Sequence, residues 1–371
     1  MPNIRHAMMG AAGAVEGGYS LWSWGRGDQG ALGLNSAINV SSPTQIGTGA
    51  GWASIGAGSA QGFGVKDSGA LFAWGSNPNG RLGLGISTSV DVSSPVQVGS
   101  LTDWSRVLAL GNKGGTSGIK TDGTIWAWGA NNLGQLGQGN VIYRSSPVQV
   151  GSLTNWESST TGYGNTLAVK TDGTLWAWGW NAHGQLGQGD TVTTSSPVQI
   201  GGLTTWHSGS TRGEHLLARL DDGKLYAWGR GSDGRLGLGD TIYKSSPTQV
   251  GSLTNWAYLG AGNYHSAAVK SDGTLWTWGV ATNGRLGHNN TINLSSPVQV
   301  GSATNWSKVW ADNDFTLALT TDGTIYAWGR NNRGQLGLGD IVDRSVPVQV
   351  GSLTNWVQGA SGGSISFGLQ E

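Results

Sequence analysis

Residues 166–178 read TLAVKTDGTLWAW, and the reading of this stretch decides the fold. Its first half, TLAVK, alternates, with Leu167 and Val169 on one face, which is the period of a half-buried strand. Asp172-Gly173 then signals a tight hairpin, because both residues tolerate the positive φ that such turns need. The second half, TLWAW, is the returning strand. Downstream lie a long polar loop, NAHGQLGQGD (181–190), and a short extended piece, SSPVQIG (195–201). Its Pro197 suits an edge strand, where no ladder N–H is needed. Upstream, residues 153–158 lead into a Gly-rich turn. The unit 153–201 thus offers about four short strands and no useful helical period.

The unit recurs. A Trp-Gly pair begins at Trp24, Trp74, Trp128, Trp178, Trp228, Trp278 and Trp328. A proline stands at Pro43, Pro95, Pro147, Pro197, Pro247, Pro297 and Pro347, and each is followed nine residues later by a second tryptophan, from Trp52 to Trp356. From the third copy on, every series steps by 50 residues. A four-stranded blade cannot bury both faces alone, so a ring of blades is expected, with the phase-fixed tryptophans packing between them. The chain ends match this. Residues 364–371 (SISFGLQE) resemble the first strand of the hairpin without its return, and residues 19–25 (YSLWSWG) resemble the return alone. Joined, they complete one blade. The fold expected is all-β: a seven-bladed propeller of four-stranded blades over residues 19–371, closed by pairing of the terminal strands, with residues 1–18 as a leader.

The motif D-G-T-[LI]-[WY]-A-W-G-x-N-x-x-G-Q-L-G, at 122–137 and 322–337, resembles the repeat of the regulator of chromosome condensation family. His215 and His265, seven residues before the Asp of Asp-Gly, are similar to the family's Gly-x-x-His element. The resemblance runs over residues 19–371 and implies the seven-bladed ring with a shared closing blade. Founding members of that family are exchange factors for a small GTPase and bind chromatin, through loops and tails added to the propeller. This chain carries no large insertion and no basic tail, so the resemblance does not bring that activity with it.

Composition narrows the classes further. The chain has 371 residues, 66 of them glycine and 20 tryptophan, with 21 basic residues against 21 acidic. Without a basic excess or a basic run, nucleic acid is not expected as a partner. The absence of cysteine removes disulfides and thiolate chemistry. No apolar run is long enough for a membrane helix, and the Ala/Met/Gly leader is too short and Gly-broken for a secretory signal. No catalytic residue, cofactor site or metal site is expected. Gly359-Ala360-Ser361-Gly362-Gly363 fits a nucleophile elbow only as letters, since no helix follows. The Asp-Gly pairs read as turns, and Asp312-Asn313-Asp314 is too sparse for a calcium loop. Histidines 183, 207, 215, 265 and 288 form no zinc spacing, and His215 and His265 are expected to satisfy backbone groups near the blade turns.

What remains are residues that break the repeat. Trp180 fills a slot held elsewhere by Arg26, Ser76, Ala130, Arg230, Val280 and Arg330, and Trp310 stands outside both tryptophan series. Tyr143 and Tyr243 sit in the variable loop beside Arg144 and Lys244. Aromatic and arginine residues are the usual hot-spot types, so Trp180, Trp310, Tyr143, Tyr243, Arg230 and Arg330 are the candidate interaction residues. Arg5, His6, Met8 and Met9 are the candidate docking residues of the leader. The leader is also similar to that of repeat proteins from phage genomes. The function expected is a non-catalytic structural or interaction propeller: a bacteriophage virion component (tail, fibre or capsid-associated) that contacts other virion proteins or a host-surface protein or glycan. The alternative is a secreted or surface bacterial propeller binding protein or glycan, and a third reading is a GTPase exchange factor.

Overall fold

The computed structural model describes residues 18–86, 89–109 and 115–371. The leader residues Arg5, His6, Met8 and Met9 lie outside them. Seven antiparallel four-stranded sheets follow one another around a ring. We number them blades 1 to 6 from residues 52–97, 104–149, 156–199, 206–249, 256–299 and 306–349; blade 7 joins 356–370 to 20–45. In blade 3 the strands run outward in sequence order: an inner strand Trp156–Thr161, a second Asn165–Lys170, a third Leu175–Gly179 and an outer Thr194–Gln199. The proline strand is thus at the exposed rim, as an edge requires. In blade 7 the strand Ile365–Gln370 pairs with Ser20–Gly25 in the register Leu21↔Leu369 and Trp24↔Ser366, so both ends of the chain close the ring. No helix among the described residues is long and apolar enough to cross a membrane.

The hairpin turn is held by its own sequence. In blade 3 the Asp172 carboxylate accepts from the Thr174 N–H at 2.9 Å and from its hydroxyl at 2.6 Å. The Trp176 indole N–H then donates to the Thr174 oxygen at 2.8 Å. Asp-Gly-Thr-x-Trp is therefore one hydrogen-bonded unit, with Gly173 at φ 76°. These bonds hold the Asp172 carboxyl below its usual range, against the opposing effect of partial burial.

The core is a set of wedges between blades. One wedge combines Leu167, Val169 and Leu175 of blade 3 with Trp206, Leu216 and Trp228 of blade 4. The two tryptophan series meet inside each blade, edge-on in six, as Trp156 and Trp178 do at 6.0 Å, and tilted in blade 7 at Trp24 and Trp356. The Trp-Gly tryptophan also reaches back one blade: Trp178 Nε1 donates to the Gln135 carbonyl at 3.0 Å. That approach requires Gly137, where a Cβ would lie 2.7 Å from the same Nε1. The Thr166 hydroxyl donates to the same carbonyl. Lysines sit over tryptophan rings: Lys170 Nζ lies 4.8 Å from the ring centre of the inner Trp156 and 3.7 Å from that of Trp176 on the third strand; such cation–π contacts are worth roughly 0.5–2 kcal/mol.

The two phased histidines correct one expectation. They bond side chains of the next blade, not backbone groups of their own turns. Ser266 gives its hydroxyl hydrogen to the Arg235 carbonyl, so His215 Nε2, 2.8 Å from Ser266 Oγ, must be the protonated ring nitrogen. His265 donates to Thr316 in the same way, and Thr316 to the Arg285 carbonyl. Both rings are fully buried, and burial pushes their pKa well below the usual histidine value, with Arg235 and Arg285 adding in the same direction.

Candidate functional site

Each blade sends two connections to one face of the ring, here called upper: the turn between its first and second strands, and the long loop between its third and outer strands. The other face carries the Asp-Gly hairpins. Trp180 stands on the upper face, its N–H fixed by the Gly164 carbonyl at 2.8 Å. Its ring lies 5.6 Å from Tyr163 and 5.3 Å from His183, and His183 lies 5.2 Å from Tyr243 of blade 4. A ladder of four rings thus crosses the seam between blades 3 and 4. His183 is held there because Gln185 accepts its backbone N–H at 2.7 Å.

Charges flank the ladder. Arg230 Nη1 lies 2.5 Å from Glu214 Oε2, and that oxygen is 3.8 Å from His183 Nε2. The bond to Glu214 raises the Arg230 pKa further, and Tyr243 adds to it. Two repeats on, the same two slots hold Asp314 and Arg330, paired at 3.2 Å, with Arg285 on the other Asp314 oxygen at 2.8 Å. Blade 5, between them, has Tyr264 in the acid slot and Val280 in the arginine slot. The Tyr264 ring lies within reach of two guanidinium groups, 5.4 Å from Arg235 and 5.7 Å from Arg285. An arc of rings and paired charges therefore runs over blades 3 to 6. On blades 7, 1 and 2 the arginine slot holds Arg26, Ser76 and Ala130; Arg26 is paired with Asp28.

The structure brings Trp180, Tyr243 and Arg230 together and places Arg330 along the same arc. It separates the other two candidates. Tyr143 is exposed over blade 2 and joins no ring pair among the described residues. It and Tyr243 stand where Asn39, Asp91, Thr193, Asn293 and Asp343 cap the backbone N–H of the residue two beyond each Trp-Gly tryptophan's glycine. The two tyrosines give up that cap for an exposed ring. Trp310 is not on this face. It is half-buried on the inner strand Trp306–Ala311, 6.0 Å from Tyr258, beside the Gly359 backbone of blade 7. Burial pushes the Tyr258 hydroxyl up to about 12.

Sequence reasoning missed Tyr163, His183, Glu214, Tyr264 and Asp314. Glu214 and Asp314 had a signal: both precede, by sixteen residues, an arginine in the Trp180 slot. It also missed a buried ion pair. Six residues after the inner tryptophan the sequence has Gly58, Gly162, Gly262 and Gly362 in four blades and Leu110 in blade 2, but Arg212 and Asp312 in blades 4 and 6. Arg212 Nε meets Asp312 Oδ1 at 2.9 Å, and Nη1 donates to the Ser361 carbonyl of blade 7 at 2.9 Å. Asp312 also accepts from the Gly363 N–H. The pair spans the axis of the ring at its upper end and is fully buried. Burial raises the Asp312 carboxyl while Arg212 opposes the rise. Ser361 lies within a strand, with no elbow geometry. No group of three or more His, Asp or Glu that could hold a metal occurs among the described residues.

The family profile described as "Regulator of chromosome condensation (RCC1) repeat" matches residues 20–63, 68–112, 122–169, 172–208, 222–269, 272–319 and 322–369. Human probable E3 ubiquitin-protein ligase HERC6 is 31% identical over 134 residues, 35% of this chain and 13% of that protein. The ultraviolet-B receptor UVR8 of Arabidopsis thaliana is 32% identical over 139 residues, 37% of this chain and 31% of UVR8. The match thus spans less than a third of either relative. Among solved structures, human WBSCR16 gives a TM-score of 0.84 at 22% identity, over 95% of this chain and 99% of that one. Prp20p of Saccharomyces cerevisiae, described with its binding properties to Gsp1p and histones, gives 0.82 at 20% identity over 96% and 92%.

Proposed function

This chain belongs to the regulator of chromosome condensation repeat family, and from that premise we propose that it is a non-catalytic, protein-binding propeller whose partner docks on the upper face over blades 3 to 6. The observation that carries the proposal is the ring ladder Tyr163–Trp180–His183–Tyr243 set beside the Arg230–Glu214 pair. Rigid aromatic rings and bidentate-capable arginine are the groups that dominate binding energy at interfaces. They sit on loops held by a rigid scaffold, where recognition is usually placed. Prp20p, which shares the fold at low identity, is described as binding proteins, and that supports a protein over a small molecule as the ligand.

The finer expectation, a bacteriophage virion component meeting a neighbour or a host surface, uses the same face. It draws on the character of residues 1–18 and on the regularity of the repeats; the relatives above are eukaryotic and add nothing to it. Mass spectrometry of purified particles tests it through the presence of the intact chain. The interaction proposal is tested by quantitative capture with the wild-type chain, Trp180→Ala/Tyr243→Ala, and a lower-face control, Asp222→Ala. A captured protein is then purified and titrated directly. Loss of a ring hot spot weakens binding by about 2 kcal/mol or more, roughly thirtyfold. A partner held equally by the wild type and the upper-face variant would remove the proposal.

A further inference from the structure

One exposed position carries the same kind of residue in every blade. In the loop before the outer strand stand Ile38, Val90, Ile142, Val192, Ile242, Ile292 and Val342. They keep between 55% (Val90) and 73% (Ile38) of their surface in solvent. The preceding residue changes from Ala37 to Ile341, while the following one is a capping Asn, Asp or Thr in five blades and a tyrosine in two. The fold does not need an aliphatic side chain there. It holds these residues by their backbone: the N–H groups of Val192, Ile242 and Val342 donate to Asp190, Asp240 and Asp340, and the Val192 carbonyl accepts from Asn181. The result is a stiff loop that presents a β-branched side chain outward. One exposed isoleucine is ordinary. Seven at one phase form a ring of apolar points around the upper rim, to which Val141 and Ile341 add exposed apolar surface in blades 2 and 6. Among the described residues the lower face has no such ring, since its exposed leucine series (Leu101, Leu153, Leu203, Leu253) breaks at Gly49 and Ala303.

We propose that this ring is the contact surface for a second copy of the chain, the two propellers meeting upper rim to upper rim about a twofold axis. Three observations select that occupant. A ring of seven points spaced one blade apart is matched at every point by another ring of the same radius and period, and the chain itself supplies one. Such a contact is isologous, the commonest kind in homo-oligomers. The area suffices: seven β-branched side chains this exposed offer on the order of 700–800 Å² per copy, close to the ~800 Å² per partner of a standard interface. Charge does not oppose it. The chain has zero net charge, and the rim pairs Lys244–Asp240 and Arg344–Asp340 are satisfied within their own loops. Association is not held off by a net field. Since Tyr243 adjoins Ile242, the dimer and the partner proposed above compete for this rim, but the dimer does not depend on that partner.

The test is sedimentation velocity of the full chain from about 1 µM to about 100 µM, with Ile142→Asp/Ile242→Asp/Ile292→Asp and Trp180→Ala beside the wild type. The wild type is expected at twice 38.3 kDa at the upper concentrations. The triple variant is expected at the monomer mass with an unchanged melting temperature, because the three positions are exposed. Trp180→Ala is expected to dimerise normally, which keeps failure of this proposal distinct from failure of the partner proposal. A wild type that stays monomeric throughout overturns the ring contact, as does a triple variant that dimerises like the wild type. A monomer that instead pellets with phosphatidylcholine/phosphatidylglycerol vesicles, and loses this in the triple variant, overturns it in favour of a lipid surface.

Discussion

Between blades, the same tryptophan meets the same glycine around the ring, and in Trp178, Trp228 and Trp278 the indole also donates to the same carbonyl; on the upper face, no two adjacent blades present the same pair of residues in the Glu214 and Arg230 slots. The seams are regular because each must seal an identical wedge, and close packing tolerates little change in volume. The loop tips bear no such load, so they are free to differ. Trp178 and Trp180 show the contrast two residues apart. Trp178 is wholly buried and bonded to blade 2, whereas Trp180 is half-exposed and stacked only on its loop neighbours. One belongs to the ring and the other to what the ring carries.

The hardest blow to that contrast is at the closing seam. Removing residues 364–371 takes away the strand that pairs with both Ser20–Gly25 and Trp356–Gly362. Loss of one seam should open every wedge, so circular dichroism is expected to show no cooperative melt. A truncated chain that melts like the full one would show that the blades are stable singly.

Next come single groups in the frame. Either Arg212→Ala or Asp312→Ala leaves a buried charge unpaired, at a cost of about 3–5 kcal/mol in urea unfolding. The double change Arg212→Met/Asp312→Leu is expected to recover most of that loss, because an apolar pair of similar size needs no partner. Trp178→Ala is expected to cost about 3–5 kcal/mol. Trp180→Ala is expected to cost about 1 kcal/mol or less in stability while weakening partner capture. Equal destabilisation by the two tryptophan changes would erase the distinction between seam and face.

The gentlest perturbation, which changes no residue, is a pH dependence. His215 and His265 have depressed pKa values in the fold, so the unfolded chain binds more protons once the pH drops below about 6.5. Their contribution to stability is complete above that pH and is lost as the pH falls towards their folded values. Each costs at most about 1.4 kcal/mol per pH unit in that range. Urea midpoints at pH 7 and pH 5 should therefore differ for the wild type and converge for His215→Gln/His265→Gln. An undiminished difference in that variant would assign the pH dependence to other groups.

The fold was legible because its determinants are local and repeated. Asp172, Gly173 and Thr174 make their turn from adjacent atoms, and the partial units at residues 19–25 and 364–371 announce the closure. The candidate site was legible only in part. Trp180 and Arg230 stand out as departures from a repeat, but nothing in the chain says that His183 lies between Trp180 and Tyr243, sixty residues away. Trp310 is the opposite case: an irregular tryptophan that the ring turns inward, against Tyr258.

By itself, then, the sequence determined the architecture: seven blades, four strands in each, tryptophan seams and a ring sealed by its own ends. Short-range hydrogen bonding and period-two burial carry that information, and both can be read along the chain. Only the tertiary structure decided which departures from the repeat act together. It joined Arg212 to Asp312 across the axis, Tyr163 to Tyr243 across a seam, and seven separate aliphatic residues into one rim. Those are distances around a ring, and a linear sequence does not contain them until the ring has closed.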